Sequence, residues 1–206
     1  MEHIIPIRIY ARGEMRADAV AKREVIILAA KNLIFKDGVE LSFRLIATEA
    51  EVGVATVHRH FPDIVDLLVE VIPLVLADIQ KIIDSYDLMW ETDPDKAWHS
   101  ICHTLSDMEA ILLNDSFYLN VVESLKAESI RDMLFRNLRP IMTRLLDNAI
   151  KHGFVAPDLS PIRFHFGLVA ASRPLPVQVE TIEPGFSKWA VDNFLAGLKS
   201  AVKDSA

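Results

Sequence analysis

The chain has 206 residues, of which 51% are hydrophobic and 25% charged, with a formal net charge of −7. That length allows one large domain or a small domain joined to a larger one, and that composition argues against a disordered chain. The single cysteine, Cys102, excludes an internal disulfide and fits a reducing cytoplasm, the expected location. A membrane span is not expected: the most apolar stretch, 65–79, is broken by Asp66, Glu70, Pro73 and Asp78 and falls short of the roughly 18 residues such a span needs.

The first residues, MEHIIPIRIYARGE, lack the order of a signal peptide, and 1–17 is expected to be a flexible arm. A helix should follow. Asp18 is placed to cap it, apolar residues at 26, 29, 30, 33 and 34 give it one buried face, and Gly38 can end it in the left-handed conformation. A second, short helix should start after the N-cap Ser42 and bury Leu45, Ile46 and Ala50. A third should run from Val54 to His60. Phe61-Pro62-Asp63 then breaks the chain before a long fourth helix, which should reach about Tyr86 and bend at Pro73. Further helices are expected near 95–112, 116–126, 129–152, 160–172 and 185–201. Residues 173–185 mark the boundary between the last two helices, and Arg173-Pro174-Leu175-Pro176 reads as a proline-rich linker. No alternating strand pattern, internal repeat or low-complexity segment is present in the sequence.

Charge is unevenly spread. Residues 1–61 carry nine Lys and Arg against eight Asp and Glu, and the remainder carries thirteen against twenty-one. An acidic body repels nucleic acid everywhere except at a chosen face, so the net charge does not exclude a DNA binder.

Residues 42–61, SFRLIATEAEVGVATVHRHF, have the layout of a helix-turn-helix: two short helices joined by a tight turn at 50–53. Small residues where the helices cross are supplied by Ala47 and Ala50, and Val52 is an apolar plug for the turn. Val57 and Phe61 turn inward at i, i+4, which leaves Thr56, Arg59 and His60 facing outward toward phosphates and base edges.

From Arg23 to Leu68 the chain resembles the tetracycline-repressor-like (TetR) family of regulators. The resemblance is carried by REVIILAAKNLIFKDG, by Ile46-Ala47, and by Thr56-Val57-His58-Arg59-His60-Phe61-Pro62. Beyond Leu68 the likeness is one of style, a helical body ending in a helix with Trp189 and Gly197-Leu198. Three positions depart from the family pattern: Glu51 stands where glycine is usual, His58 where tyrosine is usual, and Ile64 where lysine or arginine is usual. The resemblance implies DNA contacts from Arg44, Thr56, His58, Arg59 and His60. Backbone N–H groups of Gly53, Val54 and Ala55 would hold a phosphate at the start of the recognition helix. It also implies a small-molecule effector cavity among the middle helices, with Trp90, Trp98, His99, His103, Met108, Phe117, Tyr118 and Met142 as candidate lining.

His99 and His103, at i, i+4, could in principle hold a metal, but no further ligand stands near in sequence and a structural role is expected. His165, between Phe164 and Phe166, reads as a core or interface histidine. No Ser-His-Asp set, phosphate loop or zinc spacing appears, so neither catalysis nor a cofactor or metal is expected.

The expected fold is all-α: a three-helix helix-turn-helix domain over 18–61 and a six-helix ligand-binding and dimerisation domain over 62–206. The expected function is a homodimeric regulator, a repressor released from a palindromic double-stranded operator by an effector. Its dimer would form through the last two helices by way of Phe164, Leu168, Phe194, Leu195 and Leu198. Two alternatives stay open: a degenerate family member that acts through a protein partner, and a small-molecule-binding helical protein or enzyme without DNA binding.

Overall fold

Apolar residues recur at helical spacing from end to end, and the structure, a computed structural model, answers with helices alone among the described residues, 12–35, 41–112, 128–173 and 177–204. Ten are seen: α1 Arg12–Ile34, α2 Phe43–Glu49, α3 Val54–His60, α4 Ile64–Ser85, α5 Asp87–Thr92, α6 Pro94–Leu112, α7 Glu128–Lys151, α8 Pro161–Ser172, α9 Val177–Ile182 and α10 Phe186–Asp204. No helix among these residues is long and apolar enough to cross a membrane. Gly38 and the segment 116–126 lie outside the described residues.

The first three helices form the N-terminal unit. Ile26, Ala30, Leu33 and Ile34 of α1 are buried with Ile46 and Ala47 of α2, Val57 of α3 and Phe61. Leu45 is only half-buried. Two expectations need correction. Asp18 does not cap α1, which begins six residues earlier; it lies inside the helix and holds Lys22 at 2.6 Å, an i, i+4 pair. The boundary 173–185, where no helix was expected, holds one short helix, Val177–Ile182, after the prolines.

The turn between α2 and α3 is a Schellman motif. The Val52 N–H donates to the Ala47 carbonyl at 2.9 Å, and the Glu51 N–H donates to the Thr48 carbonyl at 3.2 Å. This geometry puts Glu51 at φ 53°, the left-handed region that glycine enters freely and a side chain enters at a cost of about 1 kcal/mol.

Helix α4 joins the N-terminal unit to the body. It packs on α1 and α7 and buries Leu67, Leu68, Val71 and Ile72 near one end and Ile79 and Ile83 near the other. Lys31 of α1 is ion-paired with Asp78 of α4. In the body, α8 packs against α6, α7 and α10. The last contact is close because Gly167 has no side chain: a Cβ there would lie 2.5 Å from the Phe194 ring.

Candidate nucleic-acid interface

The side chains of α3 are held from behind. Val57 and Phe61 are fully buried, so the helix cannot roll without exposing them. Its outer side presents His58 and Arg59 exposed and Thr56 and His60 half-buried, with Val54 and Ala55 exposed in the first turn. Arg44 is exposed on α2. Gly53 is the N-cap of α3 and lends no side-chain hydrogen bond, so the first amides of the helix stay open to an outside acceptor. Glycine is not required there, since a Cβ would meet only the Thr56 hydroxyl at 3.9 Å.

Two supporting residues were not evident from the sequence. The Phe43 ring stands edge-on to His58, with centroids 4.6 Å apart, and limits where that imidazole can point. Arg23 of α1 lies over the Phe61 ring at 4.4 Å and bonds Glu70 of α4 at 3.2 Å, so it clamps the end of α3 between two helices. The only sequence signal for either was an aromatic directly after an N-cap and an arginine one turn before the first buried residue. Burial holds His60 below the ordinary imidazole value, and the positive charges of Arg59, Arg23 and Lys22 push the same way. In the free protein this favours the uncharged imidazole, which can donate or accept.

The start of α4 is closed by acids. Asp63 accepts from the Val65 N–H at 3.0 Å, and Asp66 accepts from the Asp63 N–H at 3.2 Å, a complete capping box. Ile64 between them is half-buried and packs on the core. This end of α4 thus offers two carboxylates and no cation.

Residues 26–71 match the family model of the bacterial regulatory proteins, tetR family. Over these residues, less than a quarter of the chain, the protein is similar to that family. The matched segment spans the buried side of α1, the whole helix-turn-helix and the first turns of α4. No curated protein matches the chain by sequence. Solved structures share its fold. A TetR transcriptional regulator from Streptomyces coelicolor is 21% identical, with 85% of this chain and 97% of that one covered and a TM-score of 0.54. A TetR transcription regulatory protein from Mycobacterium vanbaalenii is 21% identical, with 89% and 98% covered and a TM-score of 0.51. RolR, solved in complex with the ligand resorcinol, is 19% identical, with 92% and 94% covered and a TM-score of 0.56.

The expected effector residues fall into two places. Trp90, Trp98, Met108 and Met142 are buried. Trp98 stacks on Phe154 with centroids 6.0 Å apart and touches Phe164 at 5.5 Å, in a packed aromatic core. Trp90 stacks on His152 at 5.7 Å, and its buried indole Nε1 has no hydrogen-bond partner among the described residues. His99 and His103 instead line a half-open cavity on the other side of α6. Phe117 and Tyr118 lie outside the described residues. The two histidines do not converge on a shared point: His99 Nδ1 meets the Asp95 carbonyl at 2.8 Å, whereas His103 Nε2 meets Asp192 at 2.7 Å. His165 faces Glu109, with Nδ1 3.6 Å from Oε1. Burial pushes the Glu109 carboxyl up to about 7 and the His165 imidazole down to about 4.

Proposed function

We propose that this protein is a sequence-specific transcriptional regulator that binds a two-fold duplex operator as a homodimer in the cytoplasm and represses until a small-molecule effector releases it. The observation that carries the reading is the outer side of α3, where His58 and Arg59 stand exposed beside an N-terminus free of side-chain caps, on a helix pinned by Val57 and Phe61. In this reading α3 enters the major groove and Arg59 reads a base edge. Thr56, His58 and Arg44 meet backbone phosphates, and His60 donates to a phosphate or a base. The amides of Gly53, Val54 and Ala55 hold one phosphate at the helix start.

The homodimer is assigned to α8 and α10. The residues named for it in sequence need revision: Phe164, Leu168 and Leu195 are buried within the chain's own core, and Phe194 and Leu198 are half-buried. Among the described residues, the large apolar groups those helices leave exposed are Phe166 and Trp189, at 52% and 57% exposure, and these are assigned to the partner. An effector held in the body would alter the spacing of the two recognition helices.

Fluorescence anisotropy with operator and random duplexes tests the DNA reading. Arg59→Ala should lose about 1–3 kcal/mol on the operator and much less on random DNA. If wild-type protein shifts no duplex even at low salt, the reading is wrong.

A further inference from the structure

Among the described residues, the buried polar side chains are Ser106, Glu109 and Ser172, and all three sit on the packed pair α6 and α8. Polar groups withdrawn from water without a purpose are costly, so their gathering on one seam needs a cause. Ser106 and Ser172 line the half-open cavity, about 720 Å³, where α6 and the end of α8 meet the first turns of α10. That volume suits a small molecule. One wall is fixed by His103 of α6 and Asp192 of α10, paired at 2.7 Å. Asp107 of α6 and Lys188 of α10 line the same cavity, and both are exposed. Neither is ion-paired among the described residues, whereas Asp95 and Lys199, on the same two helices, pair with each other at 3.8 Å.

We propose that this cavity binds a small zwitterion, with its ammonium on Asp107, its carboxylate on Lys188, and the hydroxyls of Ser106 and Ser172 as neutral partners. A ligand with one charge would leave the opposite wall charge unmatched, and a neutral polyol would leave both. The Ser172 hydroxyl already donates to the Leu168 carbonyl at 2.7 Å, so it meets a ligand as an acceptor, which suits an ammonium N–H. The cavity is polar, unlike the packed aromatic core around Trp98. An occupant would tie α6 to the helices assigned to the dimer. That regulatory meaning rests on the effector reading above; the binding itself does not.

Titration calorimetry on the full chain without DNA tests it, so failure of operator binding would leave this result untouched. The probes are the common amino acids, glycylglycine and taurine, with sorbitol as the neutral control. At least one zwitterion should bind saturably at one site per chain. Asp107→Asn and Lys188→Met should each weaken it about tenfold or more. Both positions are exposed, so the melting temperatures of the ligand-free variants should match wild type. The proposal is overturned if no zwitterion in the panel binds, if binding survives both substitutions, or if sorbitol binds as well.

Discussion

The acid-capped start of α4 makes a quantitative prediction about DNA affinity. Asp63→Ser removes one carboxylate and keeps the fold. Serine caps a helix as well as aspartate, and the Asp66 side chain can still accept from the residue 63 N–H, now at 3.2 Å. A carboxylate about 6 Å from a phosphate is repelled by about 0.7 kcal/mol in bulk water, and by more where the interface excludes solvent. Roughly threefold tighter binding at moderate salt is therefore expected. It should be equal on operator and random duplexes, because a phosphate carries no sequence information. The gain should shrink as salt screens the pair. Ile64→Lys, the change suggested by the family pattern, is a poorer probe because half-buried Ile64 packs on the core. Anisotropy titrations of wild type and Asp63→Ser on both duplexes at several salt concentrations provide the assay. If the variant melts with the wild type yet binds both duplexes with unchanged affinity, α4 does not approach the DNA backbone and the docking argument fails.

Other perturbations follow from the same geometry. Glu51→Gly should relieve the left-handed strain at φ 53° and raise the melting temperature by about 2–4 °C for a gain near 1 kcal/mol; a lower melting temperature would refute the strain argument. Gly167→Ala forces a methyl into the Phe194 ring and should destabilise by about 1–3 kcal/mol in denaturant titration. Adding Phe194→Leu should recover part of that loss, and no recovery would place the clash elsewhere. Glu109 and His165 act oppositely on pH-dependent stability. Glu109, raised from 4.5 to about 7, contributes stability that is lost as pH rises toward 7; His165, lowered from 6.5 to about 4, contributes stability that is lost as pH falls toward 4. Between pH 4.5 and 6.5 the two slopes cancel. Glu109→Gln should therefore unmask a rise of about 1.4 kcal/mol per pH unit across that window, and a flat profile in the variant would show that His165 is not held neutral.

The helix-turn-helix could be read from sequence because its constraints are local. The spacing of Ala47, Val57 and Phe61 and the N-cap Ser42 lie within 20 residues of one another, and the structure buries or caps each as that spacing requires. The start of α1 was misplaced because Asp18 serves equally as a cap or as the partner of Lys22, and only backbone continuity decides between them. The Glu109 and His165 contact joins positions 56 apart, and nothing periodic announces it. The candidate effector set divided for a similar reason. Trp98 and His99 are adjacent in sequence, yet successive residues on a helix point about 100° apart, so one enters the aromatic core and the other faces the polar cavity.

The most direct test of the central claim is selection of bound fragments from the DNA of the source genome by the purified full chain, followed by affinity measurement on the enriched sequence at physiological salt. A homodimeric regulator that reads DNA through α3 should enrich a sequence with two-fold symmetry and bind it about a thousandfold or more tighter than random duplex. That preference should fall by about five- to 150-fold in Arg59→Ala, the 1–3 kcal/mol expected for a lost base contact. Enrichment of no common sequence, or equal affinity for selected and random duplexes, would contradict the account.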